Sequence, residues 1–392
     1  MLFSIALIVL LGLLSKVVFS KIKLPYIIGM LFIGIILGPH SLNILHPNIS
    51  IISSDLREIA LIIILMKAGL SLDIKDLKKV GRPAILLCFL PATFEILGYL
   101  LIAPKLLNIP LLEAGIIGSV MAAVSPAVVV PAMTKFIDEK KGTNKSIPQM
   151  ILAGSSADDV YCIVIFTALV TLAKGGEVHA SALLNVPISL ITGITLGVLS
   201  GEILVRFFKK FHMRDTVKVL LLLSISFLFI TLESYLKGKL PLSGLLSIIS
   251  LGLTIKAHYP ILSQRLAPKF SKLWIGAEIL LFVLVGALVN IEYASHAGIK
   301  MIIMIFIGLS FRTVGTYIAT SKTGLTFKEQ LFCLFSELPK ATVQAAMGGL
   351  PLALGLACGN SVLTFAVLGI LITAPIGSFL ISFSGNKFLE KE

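Results

Sequence analysis

Apolar runs of roughly 18 to 25 residues recur along the whole chain, each closed by a few charged, Gly or Pro residues, with no polar segment longer than about 20 residues between them. Wound as a helix, a run of that length crosses the hydrocarbon core of a bilayer. In water, so many runs would leave more apolar surface than a single core can cover. The 57% share of hydrophobic residues and the mean hydropathy of +1.02 exclude a soluble domain. Backbone polar groups in lipid must be satisfied within their own segment, so the spans read as helices. The chain is therefore expected to be an all-α membrane protein, with residues 1–392 forming a single membrane domain.

The runs place about thirteen transmembrane helices near 2–19, 25–38, 55–72, 82–103, 112–136, 149–173, 182–206, 216–236, 240–256, 272–289, 299–320, 327–355 and 361–381. The first run has no basic residue before Lys16 and no small-residue cleavage site, so it reads as a span and not a cleaved leader. The 33 Lys and Arg residues outnumber the 20 acids, a balance that also occurs in nucleic-acid binders. Here most of the cations fall in alternate loops, and the opposite loops hold only Lys105, Lys174, Lys237, Lys239 and Lys300. The positive-inside rule then sets the N-terminus outside and the C-terminus in the cytoplasm, and it makes lipid, not nucleic acid, the partner. An odd number of spans also permits two inverted six-helix repeats joined by the seventh span. Cys88, Cys162, Cys333 and Cys358 lie singly in apolar runs and the six His residues are scattered, so neither disulfides, a resident metal nor a cofactor is expected.

Charge at the bilayer centre costs about 3 kcal/mol per residue on insertion scales, so charges retained there are functional candidates. The sixth span carries Asp158 and Asp159 near its middle, in the sequence GSSADDV. Adjacent residues project about 100° apart on a helix, so one carboxylate can face a cavity while a neighbour holds the other. Two close anions hinder each other's ionisation, and such a pair can take a proton or a hard monovalent cation in competition, which suffices to exchange one for the other. Ser155 and Ser156 offer oxygen ligands beside it. The plainer alternative is a structural acid pair that salt-bridges other helices.

The fifth span is interrupted by Ser125-Pro126, and the twelfth by Leu338-Pro339-Lys340-Ala341-Thr342. Proline removes a backbone donor and favours an extended residue before it. Paired breaks at repeat-related positions point to a binding site between two discontinuous crossing helices. Lys340 is then either a counter-ion that leaves Asp158 when a cation arrives or a permanent strut, and the strut is favoured. Glu95 in the fourth span and Arg312 in the eleventh are repeat mates and are expected to form a buried ion pair. Lys67 and Glu278 are a second such combination. Gly193, Gly197 and Gly201 mark close helix packing.

Five stretches together, AGLSLD at 68–73, AVSPAVVVP at 123–131, SSADDV at 155–160, FRTVGTY at 311–317 and LPKATVQAA at 338–346, resemble the monovalent cation/proton antiporter superfamily. Within it they resemble the paired-Asp branch of sodium/hydrogen antiporters that includes the animal sodium/hydrogen exchangers of the B subfamily. The resemblance implies a homodimer whose helices near 2–38 and 216–256 form a dimerisation part. Helices near 55–173 and 272–381 would form a core that moves like an elevator, with 182–206 as the linking helix. It makes Asp159 the principal sodium and proton carrier and Asp158 its partner ligand on the Lys340 side. Glu95, Arg312 and Lys340 become charge-compensating residues, and Ser125 and Thr342 sit at the helix crossing. Ser125-Pro126 departs from the Thr-Asp-Pro break of electrogenic bacterial relatives.

The expected function is sodium (or lithium)/proton antiport at the cell membrane by a multi-pass protein that is not an enzyme. Potassium/proton antiport and sodium-coupled symport of an organic anion on the same fold are the alternatives. An intramembrane aspartyl protease needs acids converging from different helices, whereas adjacent Asp158 and Asp159 diverge. A channel would need a carbonyl-lined filter, which no motif suggests.

Overall fold

The computed structural model describes every residue except 22–24, 72–80, 175–179, 237–239, 290 and 392. Lys75, Lys78 and Lys79, expected in a cytoplasmic loop, and Lys237 and Lys239, expected on the opposite side, lie outside the described residues. The described secondary structure is helical apart from one isolated bridge between Lys141 and Lys391. In chain order the helices are α1 (Leu2–Lys21), α2 (Tyr26–Leu37), α3 (Pro47–Ser71), α4 (Arg82–Leu87), α5 (Leu90–Leu107) and α6 (Leu111–Ala122). Next come α7 (Pro126–Asp138), α8 (Ile147–Lys174), α9 (Ala180–Lys210), α10 (Asp215–Tyr235), α11 (Gly244–His258) and α12 (Pro260–Ala287). The chain ends with α13 (Ile291–Thr320), α14 (Phe327–Ser336), α15 (Thr342–Gly348), α16 (Leu350–Ala353) and α17 (Gly359–Phe388). Among the described residues, nine helical stretches, two of them (82–107 and 111–137) interrupted, are long and apolar enough to cross a membrane, and Tyr26–Leu37 and Gly244–His258 are shorter apolar helices. The chain is an all-α, multi-pass membrane protein.

Each apolar run of the sequence contains a helix or a set of short helices, with three departures. The run at 82–103 is not continuous: it turns at Cys88 and Phe89 before α5 resumes. Pro91 has no N–H to give the Leu87 carbonyl, so the first helix cannot run on through it. The run at 327–355 breaks at Pro339 as expected, and departs by dividing once more, into α15 and α16, next to Pro351. Several helices also outrun their apolar stretch: α3 starts at Pro47 and α12 at Pro260. Proline at the first helical position loses nothing there, so these starts are set by local chemistry and not by hydropathy.

The chain divides into two compact units. The first comprises Met1–Ser54, Ile74–Ile163 and Ile279–Glu392; the second comprises Asp55–Asp73 and Val164–Glu278. In the first unit α5 packs along α13 through small residues. Gly98 on α5 faces the Phe311 ring, and a Cβ on Gly315 of α13 would lie 2.8 Å from the Leu90 carbonyl oxygen. Tyr99 fills the seam, its ring edge-on to Phe365 at 5.8 Å. Glu95, Gly98 and Tyr99 share one face of α5 by their spacing, and Gly308, Arg312 and Gly315 share one face of α13. Close packing of these two stripes brings a carboxylate and a guanidinium together. A buried cluster including Val124, Val129, Phe136, Met150, Phe332, Ile381 and Leu389 fills another part of the unit.

In the second unit α9 packs on α11 through the Gly193, Gly197 and Gly201 stripe that the sequence marks for close contact. A Cβ on Gly193 would fall 2.6 Å from the backbone oxygen of Ser243, which cannot swing aside as a side chain would. Gly193→Leu is expected to cost about 1–3 kcal/mol through overpacking, and the thermal unfolding midpoint of the purified protein measures it. Lys67 on α3 lies within electrostatic reach of Glu278 on α12, the second repeat-mate combination.

Candidate functional site

Two interruptions in helical backbone define the centre of the first unit. Residues 123–125 are extended between α6 and α7, and residues 337–341 are non-helical between α14 and α15. They cross, and the Ser125 N–H donates to the Pro339 carbonyl at 2.8 Å. Gln344 on α15 donates to the Val120 and Ala123 carbonyls at 2.9 and 2.8 Å, satisfying acceptors at the end of α6 that its own helix cannot reach. The Lys340 N–H is held by Thr373 of α17 at 2.8 Å, and Gly377 leaves room for the Pro339 ring.

Asp158 and Asp159 sit near the middle of the 28-residue helix α8. Asp158 shares the buried face with Ile151, Ser155 and Cys162, all fully enclosed. Its Oδ2 accepts the Val124 N–H at 3.0 Å and Arg312 Nη2 at 3.0 Å. Arg312 is the hub. Its Nη1 donates to Glu95 Oε2 at 3.1 Å and to the Ala122 carbonyl that ends α6, and its Nη2 reaches Glu337 Oε2 at 2.7 Å as well as Asp158. Lys340 Nζ donates to the same Glu95 oxygen at 2.7 Å and to the Ala122 carbonyl at 3.4 Å. Two cations thus lie at the C-terminal end of α6, where the helix dipole favours positive charge.

The expected Glu95–Arg312 pair is present as one edge of a larger network. The sequence leaves two roles open to Lys340; its amine is engaged by Glu95, and it is Arg312 that takes Asp158. A guanidinium carries several donors in a planar fork and serves three carboxylates at once, whereas a single ammonium serves fewer. Sequence reasoning missed Glu337, which is 1% exposed and ends α14. Its signal was its place two residues before Pro339, at the tip of a half-helix whose end only the break defines.

Six ionisable groups, Glu95, Asp158, Asp159, Arg312, Glu337 and Lys340, are therefore buried together. At about 3 kcal/mol each, their unmatched cost would rival the roughly 5–15 kcal/mol that holds a domain folded, so the pairing is obligatory. The pairing is incomplete. Asp159 makes no hydrogen bond or ion pair with a described residue, and its Oδ1 is buried. Asp158 Oδ1, Ser125 Oγ and Thr342 Oγ1 are likewise buried without partners. Ser125 occupies the N-cap position of α7 yet does not cap it, which leaves its hydroxyl uncommitted. Ser155 instead donates to its own helix, at Leu152, and the side chain of Ser156 lies outside the described residues. Unsatisfied oxygens on the acid pair, on the first crossing stretch and at the start of α15 form a donor set suited to a small hard cation.

The family model described as "Sodium/hydrogen exchanger, transmembrane" matches residues 5–387. The chain is 33% identical over 385 residues to sodium/hydrogen exchanger 9B2 of Homo sapiens, covering 94% of this chain and 70% of that protein. It is 32% identical over 389 residues to sodium/hydrogen exchanger 9B1 of Homo sapiens, covering 94% and 73%. Its fold resembles that of the sodium proton antiporter MjNhaP1 from Methanocaldococcus jannaschii at pH 8, with a TM-score of 0.80, 21% identity and coverage of 98% and 97%.

Proposed function

The chain belongs to the sodium/hydrogen exchanger family, and from that premise we propose that it is a sodium (or lithium)/proton antiporter in which proton and cation compete for Asp159. One observation carries the reading. Among the buried charges of the centre, Asp159 alone makes no hydrogen bond or close ion pair with a described residue, so its charge is available to be matched by cargo. A proton bound there excludes a cation and a cation excludes the proton, and alternating access of the loaded site then yields exchange.

Asp158, Ser125 and Thr342 complete the cation's oxygen shell, and Arg312, Lys340 and Glu95 hold the surrounding charge in place. All of these side chains belong to the first unit, so they can travel as one load in an elevator-type cycle, although that unit also takes in Met1–Ser54 and leaves out Asp55–Asp73 and so differs from the core assigned here. The moving core corresponds to helices near 55–173 and 272–381. Helices near 2–38 and 216–256 form the interface of a homodimer in the cell membrane, with the N-terminus outside. Exchange of one proton per sodium moves no net charge, while each further proton couples transport to the membrane potential at about 2.3 kcal/mol per 100 mV.

Proton movement in proteoliposomes tests the proposal, with sodium, lithium or potassium added and the potential clamped or free. Sodium and lithium are expected to drive proton flux, and silence with every cation would remove the antiporter reading. A potential-dependent rate would identify electrogenic exchange. Ser125→Ala deletes a buried hydroxyl that makes no hydrogen bond, so stability is expected to hold while half-saturating sodium rises about three- to tenfold, or roughly 0.7–1.4 kcal/mol of lost coordination. Flux titrations beside thermal unfolding check it.

A further inference from the structure

Glu337 has a position that is hard to explain by local structure alone. It terminates α14 as the C-cap residue, where exposed carbonyls carry the negative end of the helix dipole and disfavour a carboxylate. It is 1% exposed, and one of its two oxygens has no partner. Its single described side-chain hydrogen bond is to Arg312 Nη2, at 2.7 Å. That nitrogen also serves Asp158 Oδ2, at the longer distance of 3.0 Å. Glu337 and Asp158 therefore draw on one donor group from two sides: Glu337 from the second unwound stretch, Asp158 from α8.

Resting on the antiport reading above, we infer that Glu337 is a positioning residue that holds Arg312 partly away from Asp158 and so keeps Asp158 available to the transported cation. The remaining contacts of Arg312 do not supply this pull. Nη1 is taken by Glu95 and the Ala122 carbonyl, and Glu95 is shared with Lys340. With Glu337 neutral, the positive charge at Nη2 is answered by Asp158 alone. The Arg312–Asp158 pair tightens, and a cation entering beside Asp159 finds a carboxylate already satisfied. The transport machinery stays assembled because Glu95, Lys340 and the Ser125–Pro339 crossing are untouched. The effect falls on cation binding and not on the rate of translocation.

The test compares wild type, Glu337→Gln and Glu337→Asp by equilibrium binding of radioactive sodium to the purified protein, and by sodium-dependent proton flux in proteoliposomes. Glu337→Gln is expected to raise the half-saturating sodium concentration about tenfold in both assays, with maximal flux within about twofold of wild type. Glu337→Asp keeps the charge at shorter reach and is expected to give an intermediate shift of about two- to threefold. Unchanged sodium binding in Glu337→Gln overturns the inference, as does a loss of maximal flux without a change in half-saturation. Should Glu337→Gln fail to fold, binding to Glu337→Asp decides: an unchanged value overturns. Sodium binding by wild type without proton flux would count against antiport while leaving this inference to stand or fall on the binding shifts alone.

Discussion

Asp159→Asn is expected to reduce sodium-dependent proton flux by about a hundredfold or more while leaving the thermal unfolding midpoint unchanged or higher. The substitution removes the one buried acid of the centre whose carboxylate has no described protein partner. An amide of the same shape cannot exchange a proton or match a cation's charge, and losing about 3 kcal/mol of cargo binding already amounts to about a hundredfold. For stability the sign is opposite, since an uncompensated buried charge is a liability whose removal strands nothing. Asp158→Asn makes the informative contrast. Its oxygen holds the Val124 N–H and Arg312, so its neutralisation should lower stability along with activity. Flux assays and thermal scans of both variants test the pair, and robust flux from Asp159→Asn would take that residue out of the carrier role.

Arg312→Met should have the largest effect on folding, about 3–5 kcal/mol, because it leaves Glu95, Asp158 and Glu337 with Lys340 as the remaining cation of the network. It also strips the Ala122 carbonyl of a donor. Charge alone does not restore the site: Arg312→Lys keeps a cation but replaces a planar fork serving three carboxylates with one ammonium, so an intermediate loss is expected. Pairing Arg312→Met with Glu337→Gln removes one of the stranded acids and should recover part of the deficit. Thermal unfolding of the four proteins checks the order wild type, Arg312→Lys, double variant, Arg312→Met, with either of the middle two able to lead. A midpoint for Arg312→Met equal to that of wild type would mean that the network contributes nothing to the fold.

Much of this architecture was legible in the sequence because lipid leaves so few options. Apolar length marks helices, and an acid or a guanidinium in mid-run marks itself. Asp158, Asp159, Glu95, Arg312 and Lys340 stood out for that reason, and Pro126 and Pro339 located both breaks. Partner choice was less legible. Lys340 and Arg312 are equally cationic in sequence, and only the folded arrangement determines that the guanidinium reaches Asp158 and Glu337 as well as Glu95 while the amine reaches Glu95. Glu337 was hidden by the same logic. An acid at the edge of a span looks like a loop residue until the helix is seen to end there, inside the protein. Helix ends at Pro47 and Pro260 escaped because amphipathic helix continues past the apolar run that reveals it.

The crossing of the two unwound stretches is joined by an amide that can be watched. Pro339 has no N–H to return, so the Ser125 proton is the hydrogen that must be released for the stretches to part there. The preceding amide, on Val124, is tied to the Asp158 carboxylate. Pro126, next in sequence, contributes no exchangeable amide and keeps the local signal uncrowded. Deuterium uptake at these two neighbouring positions therefore clocks two separate events, the opening of the crossing at Ser125 and the release of the acid at Val124, and comparing them with and without sodium would tell which of the two the cargo restrains.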